Sequence, residues 1–259
     1  MLEIIILSIM NVNDCNFHFP QGRWKFKLLK SLSMRNIIVL IIWLFWAAHV
    51  SAQSYVLAYG SRQISSNDPK LLKTRNLSLE KAIKENEKRI RVYQLTHSEA
   101  RSVYTEKYSS INGVRDEGLT YFGGNMVVYK DFSKGEFIQT GKFVGANNAV
   151  KESIEEFFKW TIIPKSDTVV FGLPCQRAST LFRGKKVVAW FTKSIPIMDG
   201  PGIFSGLPGL ILRVDLDSSM VIEIMDLQIV KNKVPVNIPS FKDYVSFEEY
   251  LKNRYKFMD

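Results

Sequence analysis

The chain has 259 residues, is 46% hydrophobic and 23% charged, and carries a formal net charge of +10. These proportions exclude a collagen-like, low-complexity or disordered chain and allow one large globular domain or two small ones. With two Cys and three His in all, they also exclude a disulfide framework and a His-rich metal centre.

The first segment reads as a targeting signal. Ile37 to Ala48 is an unbroken apolar run of twelve, preceded by Arg35 and followed by Val50-Ser51-Ala52. A basic flank, a short apolar core and small residues at the end describe a secretory signal peptide, with cleavage expected between Ala52 and Gln53. The run is shorter than the ~20 residues a membrane-spanning helix needs, so no stable span is expected after processing. Met34 is the expected start, with residues 1–33 an upstream extension; residues 53–259 are expected to form a single β domain. Residues 1–52 hold five Lys/Arg and two Asp/Glu, which leaves the remainder at +7. Its basic residues are spread along the chain and it is read as exported, so the charge points to solubility and not to nucleic acid. The expected location is the periplasm or association with the outer membrane, or outside the cell. Cys175 alone survives processing and is read as a buried, inert thiol.

Ser54 to Ile64 is expected to open the fold as a strand. Ser78 caps an expected helix, with Leu79, Ala82, Ile83 and Ile90 near helical spacing. Arg91 to His97 alternates as a strand, Ala100 to Tyr108 is another, and Gly113 to Gly124 is read as a connection. Asn125 to Phe132 and Glu136 to Val144 flank Ser133-Lys134-Gly135 as a hairpin. Val150, Ile154, Phe157 and Phe158 place a short helix over Asn147 to Lys159. Trp160 to Ile163 and Thr168 to Phe171 return to strand character. Cys175 to Phe182 and Lys186 to Thr192 flank Arg183-Gly184-Lys185 as a second hairpin, and residues 209–216 and 220–227 make a third around Asp217-Ser218-Ser219. In that last pair Leu210, Leu212, Val214 and Leu216 share one face, leaving Ile211, Arg213 and Asp215 on a wet face. Ser246-Phe247-Glu248-Glu249 is a capping box for a C-terminal helix with an apolar stripe at Phe247, Tyr250, Leu251 and Tyr255. The sum is a mainly β protein, a twisted antiparallel sheet curling toward a half-barrel, with a sandwich as the alternative and two or three short helices.

Between the strands at 186–192 and 210–216 lies a Gly/Pro loop. Four Gly and two Pro stand in the eleven positions from Asp199 to Gly209. Leu207-Pro208-Gly209-Leu210 reads as a type II turn. Aromatics gather around it: Trp160, Trp190, Phe191 and Phe204. Trp190, Asp199, Gly200, Phe204 and Leu207 are therefore the candidate ligand-binding residues, beside an apolar groove for a peptide, lipid or sugar. Trp190 and Phe191 point to opposite faces. The competing reading of the aromatics is core.

No nucleophile elbow, phosphate loop or dinucleotide fingerprint is present, and no catalytic residue is assigned. His97, the one His after residue 52, is read as a structural residue at a strand end. Asp199 with Asp215 or Glu223 could hydrolyse a glycoside only if their carboxylates stood roughly 5 to 10 Å apart. The simpler reading is that Asp199 caps a turn and Asp215 belongs to a hairpin. No metal or cofactor is expected.

Gly206-Leu207-Pro208-Gly209-Leu210-Ile211 resembles the hexad after which the GLPGLI proteins are named. The similarity extends through Trp160, Gly172, Cys175 to Ala178, Phe182-Arg183-Gly184, Ala189 to Thr192, Ile195-Pro196-Ile197 and Gly200-Pro201, and touches Tyr129-Lys130-Asp131. It departs at Leu173-Pro174 and at Lys185-Lys186-Val187. The resemblance implies a secreted, β-rich envelope protein of Gram-negative bacteria working beside outer-membrane transport, with no catalytic residues. It leaves three readings: a binding or accessory module for an outer-membrane or periplasmic protein or an apolar or peptide ligand, a carboxylate hydrolase, and a structural assembly subunit.

Overall fold

A computed structural model describes residues 53–64, 84, 87–116, 126–141, 148–217 and 219–256. The chain divides into Met1–Val50 and Ser51–Asp259, and all described residues belong to the second unit. The signal segment and nearly all of the helix expected after Ser78 lie outside the described residues.

Thirteen strands form a single sheet: β1 (Ser54–Gln63), β2 (Arg89–Ser98), β3 (Arg101–Ile111), β4 (Val114–Asp116), β5 (Val127–Asp131), β6 (Glu136–Thr140), β7 (Asn148–Ser153), β8 (Thr161–Val170), β9 (Leu173–Phe182), β10 (Lys185–Thr192), β11 (Leu210–Leu216), β12 (Met220–Val230) and β13 (Asp243–Val245). Among the described residues two helices with described bounds accompany them, α1 (Ile154–Phe157) and α2 (Phe247–Lys256). The spatial order is β13-β7-β6-β5-β3-β2-β1-β12-β11-β10-β9-β8, with β4 beside β3. All neighbours are antiparallel except β13 and β7. The end strands do not pair, so the sheet is open and not a closed barrel.

Hairpins set this order. Asn112-Gly113, Phe171-Gly172 and Arg183-Gly184 each hold two residues at positive φ, the backbone of a type I′ turn, whose twist matches that of the strands it joins. The chain read as a connection from Gly113 thus begins with a hairpin into β4, and the Arg183 turn has two loop residues, not three. Asp131 organises the β5–β6 turn, its Oδ1 accepting from Ser133 N at 3.1 Å and Lys134 N at 3.2 Å.

Two expectations change. Asn148–Ser153 is a strand, and the helix is only the turn that follows it. Ala149 and Val150 are wholly buried between β6 and β13, so cross-strand pairing wins over the helical spacing. Ser153 caps α1, accepting from Glu156 N at 3.3 Å. On β11, a register shift between Trp190 and Phe191 skips Leu212, so Ile211 and Leu212 are both buried along with Leu210 and Val214. Ile211 is therefore core, while Arg213 and Asp215 keep the outer face.

Further shifts occur between Ala58 and Tyr59 and between Val92 and Tyr93. Such bulges bend strands and raise local twist. The consequence is visible across the concave face. Phe182 of β9 packs on Phe247 of α2 at 5.6 Å and on Phe158 at 5.6 Å, although β9 and β13 lie near opposite ends of the sheet. The passage from β7 to β8 runs between them, with Phe157 against Phe137 at 5.0 Å and Phe158 against Phe204 at 5.2 Å. At α2, Ser246 Oγ accepts from Glu249 N at 3.1 Å, as the capping box requires, and Phe247 N donates to Glu152 on β7 at 2.6 Å.

Residues 193–209 cross the same face. Pro208 centres a three-residue turn in which Gly209 N donates to Leu207 O at 2.8 Å. This inverse γ geometry suits proline's fixed φ and replaces the expected type II turn. Leu210 N donates to Ile195 O at 3.0 Å and Ile211 N to Asp199 O at 2.9 Å, closing the loop on itself. A Cβ at Gly209 would stand 2.2 Å from Thr192 O, and φ there is +152°. Gly209→Ala should therefore lower unfolding free energy in urea by roughly 2–4 kcal/mol, against less than about 1 kcal/mol for Pro208→Ala on the exposed turn. Equal effects would show that the close approach is not what holds the corner.

Candidate functional site

The concave face carries a row of cross-strand neighbours. Tyr55 on β1 faces His97 on β2, His97 faces Ser102 on β3, Ser102 faces Lys130 on β5, and Lys130 faces Phe137 on β6. One step along, Leu57, Leu95, Tyr104 and Val128 form the adjacent apolar row. Lys130 thus occupies a core position in register with Val128, and it is wholly buried.

The Gly/Pro loop answers that charge. Asp199, also at 0% exposure, accepts from Lys130 Nζ through Oδ1 at 2.6 Å and from His97 Nδ1 through Oδ2 at 2.8 Å. Gly200 N donates to the same Oδ1 at 2.7 Å. Lys130 Nζ also donates to Gly200 O at 2.6 Å and Phe204 O at 3.4 Å. Every ammonium proton has an acceptor, and both carboxylate oxygens have donors. A carboxylate only accepts, so His97 Nδ1 carries a proton and donates it to Asp199.

Burial by itself would raise the Asp199 pKa. Lys130 and His97 outweigh it and hold the carboxyl well below its usual range. Burial lowers the Lys130 pKa, and Asp199 draws it partly back. The pair reads as ionised, because each charge is met by hydrogen bonds as well as by its partner. Tyr59, pushed well above its ordinary pKa by burial and then by Asp199, stays protonated and donates to Ile211 O at 2.8 Å.

The loop candidates fall together and inward. Asp199, Gly200, Phe204 and Leu207 are buried, Phe204 stacks on Phe158, and Trp160 Nε1 donates to Ser205 O at 2.9 Å. Within the hexad only Gly206 and Pro208 are exposed. A Cβ at Gly200 would meet Ile211 Cβ at 2.7 Å, which explains the glycine beside Asp199. Trp190 lies on the other face, half-buried, with the Arg213 guanidinium 5.0 Å from its ring centre. Arg213 pairs with Glu223 at 3.3 Å, and Asp215 shares that outer face. The register therefore sets Asp215 and Glu223 on the side of the sheet opposite Asp199. Cys175 is buried and its thiol is pushed up by that burial.

Sequence reasoning missed two members of the cluster. His97 was discounted as a solitary histidine. Lys130 had a usable signal: in Val127-Val128-Tyr129-Lys130 it shares the phase of Val128, so an ammonium sits where the pattern demands an apolar residue. Among the described residues, nothing else is a Lys at zero exposure.

Fold and site define an open, curled β-sheet protein whose long concave-face loop is clamped by a buried ionic cluster. Over residues 139–213 the chain matches a family model described as "Protein of unknown function (Porph_ging)". That stretch holds Asp199 and the whole loop but neither His97 nor Lys130. No curated protein matches. Among solved structures it is similar to PNGF-II, with TM-score 0.50 and 15% identity over 79% of this chain and 34% of that one in the P21 form, and TM-score 0.49 in the C2 form. It also matches the Pseudomonas aeruginosa MucA/MucB complex, with TM-score 0.34 and 10% identity over 73% of this chain and 56% of that one. The chain spans about a third of the length of the PNGF-II structures. At this identity the PNGF-II likeness is one of fold. Among the described residues no helix is long and apolar enough to cross a membrane.

Asp199→Ala leaves the Lys130 charge buried without its counter-ion and should cost about 3–5 kcal/mol. Lys130→Met combined with Asp199→Leu should cost less than either single change. The depressed Asp199 pKa contributes stability that is complete above the unfolded-state value of about 4 and disappears as pH falls below it. Urea titrations between pH 2 and 7 should show a slope in that acid window that Asp199→Asn flattens. An unchanged slope would mean that Asp199 is not ionised in the folded state.

Proposed function

We propose that this is an exported envelope protein of the GLPGLI type that works by contact, as a binding or accessory module beside outer-membrane transport. The observation that carries the reading is the complete engagement of Asp199. The one loop carboxylate that could have done chemistry is buried, bonded at both oxygens and separated by the sheet from Asp215 and Glu223. Two-carboxylate glycoside hydrolysis needs both groups on one cleft, so the carboxylate-hydrolase reading gains no support.

The working surface in this proposal is the outer face around Trp190. Its cross-strand neighbours are Arg177 on β9 and Arg213 on β11. A half-buried Trp between two guanidiniums has the composition of a protein-interface hot spot. Assembly through sheet edges is less favoured: β13 is three residues long, and β8 is broken by an irregularity between Ile163 and Thr168 that includes Pro164. The apolar segment Ile37 to Ala48 supports export.

In a Gram-negative host, mature protein recovered outside the cytoplasm should begin at Gln53. Wild-type protein crosslinked in envelope extract should capture a discrete partner, and Trp190→Ala should lose most of that capture while keeping the wild-type unfolding midpoint. Glycosidase or peptidase activity in purified protein that Asp199→Asn abolishes would overturn the reading.

A further inference from the structure

Charge is unevenly placed on the outer face beside Trp190. Directly opposite residues of paired strands point to the same face, so Arg177 of β9, Trp190 of β10, Arg213 of β11 and Glu223 of β12 form one row there. Along β9 and β10 the next two pairs on that face are Ser179 with Val188 and Leu181 with Lys186. The carboxylates of this face stand to one side. Glu223 pairs with Arg213 at 3.3 Å, and Asp215 lies opposite Val188 on β11. Among the described residues the charged side chains on the outer face of β9 and β10 are Arg177 and Lys186, both basic. Asp167 on β8 meets Gln176, whose cross-strand neighbour Phe191 is core.

Within this strip Arg177 is unmatched. Its backbone N donates to Ser166 Oγ at 2.9 Å, but its guanidinium has no hydrogen bond or ion pair among the described residues. Arg213, by contrast, is engaged by Glu223 and by the Trp190 ring. Lys186 is exposed. Leu181, beside it, is 72% exposed.

The geometry selects the occupant. Arg177 and Lys186 are separated by four residues of strand, about 14 Å. A phosphate or sulfate ion reaches one of them and not both. Between them lie Val188 and Leu181, and a uronic acid polymer has no apolar group with which to cover these. An anionic bilayer that accepted Leu181 would press Glu223 and Asp215 against its own charge. A peptide supplies both kinds of group. In an extended segment residues two and four apart share a side, so an acid, an apolar residue and a second acid at alternate positions match Arg177, Val188 and Lys186 in order.

We propose that the outer strip from Arg177 to Lys186 docks an extended acidic segment of the partner protein, with one carboxylate on the Arg177 guanidinium beside Trp190, an apolar side chain over Val188 and Leu181, and a second carboxylate at Lys186. The assignment rests on the outer face being the working surface, and adds the chemistry that the partner brings to it.

The test is selection of short random peptides, displayed on phage, against the purified protein, followed by titration of the strongest peptide as a free, dye-labelled molecule. Recovered sequences should carry Asp or Glu two residues to either side of an apolar residue. The chosen peptide should bind saturably, and its twin with Asn and Gln in place of the acids should bind at least roughly tenfold less tightly. Arg177→Gln should weaken the peptide by a similar factor at an unchanged unfolding midpoint, because the guanidinium has no partner in the folded chain. Lys186→Gln, on an exposed side chain, should weaken it less, and added salt should weaken the wild type more than Arg177→Gln. Polygalacturonate and phosphatidylglycerol vesicles are the competing arms. Tighter binding of either, a selection without acids, or a peptide that binds Arg177→Gln as it binds the wild type would overturn the proposal. Envelope-partner capture that Trp190→Ala loses and Arg177→Gln keeps would remove the carboxylate assignment and leave the contact surface standing.

Discussion

Lys130 and Asp199 meet on the concave face but are drawn from distant parts of the sheet. Lys130 stands on β5, and Asp199 on the loop between β10 and β11, which lie six and five strands away in the spatial order. Desolvating two such ions costs several kcal/mol each, and attraction alone does not recover it. What makes the arrangement tenable is full satisfaction: three acceptors for the ammonium, and His97, Gly200 N and Lys130 for the carboxylate. An apolar pair of similar volume would pack at lower cost. The ionic pair instead fixes one geometry, since any other placement of the loop leaves a bare charge in the core.

The curl of the sheet and the path of the loop follow from that requirement. A flat sheet would hold β5 and β10 far apart. Register shifts in the β1–β12, β2–β3 and β10–β11 pairs bend it, and the phenylalanine belt of Phe157, Phe158, Phe182, Phe204 and Phe247 fills the enclosed space. The loop then lies flat because glycine permits it at two points. Gly200 lets Asp199 sit against Ile211, and Gly209 brings the chain onto Thr192 O. Apolar packing supplies the bulk of the driving force, and the ionic cluster selects the one closure that satisfies it.

Much of this was legible in the sequence because it is local. Strand alternation, the Gly-containing turns and the Ser246 capping box each report on a few neighbouring residues, and mainly β architecture follows from their sum. The Asn112-Gly113 hairpin was equally local and was passed over. What could not be read is non-local. Val150 and Ile154 fit a helix until β6 and β13 claim the strand. Ile211 fits a wet face until a one-residue bulge turns it inward. The loop was recognised as a Gly/Pro turn region, yet its partners were hidden, because nothing in the sequence around Asp199 points to residues 69 and 102 positions away. Only the apolar phase of Lys130 hinted at them.

The concave face thus carries polar groups of two kinds, and the difference bears on stability. In the cluster of Lys130, Asp199 and His97 the Lys130 ammonium and the Asp199 carboxylate are consumed by one another and by their neighbours, so the cluster holds structure. On the β2–β3 ladder beside it, Ser102, Tyr104, Glu106 and Arg91 keep unpartnered atoms. Ser102 faces both His97 and Lys130 across the strands and so joins the two regions. The clamp therefore fixes where the loop lies, while the ladder's unpartnered atoms are a desolvation cost that the apolar packing around Tyr93 and Tyr104 has to offset.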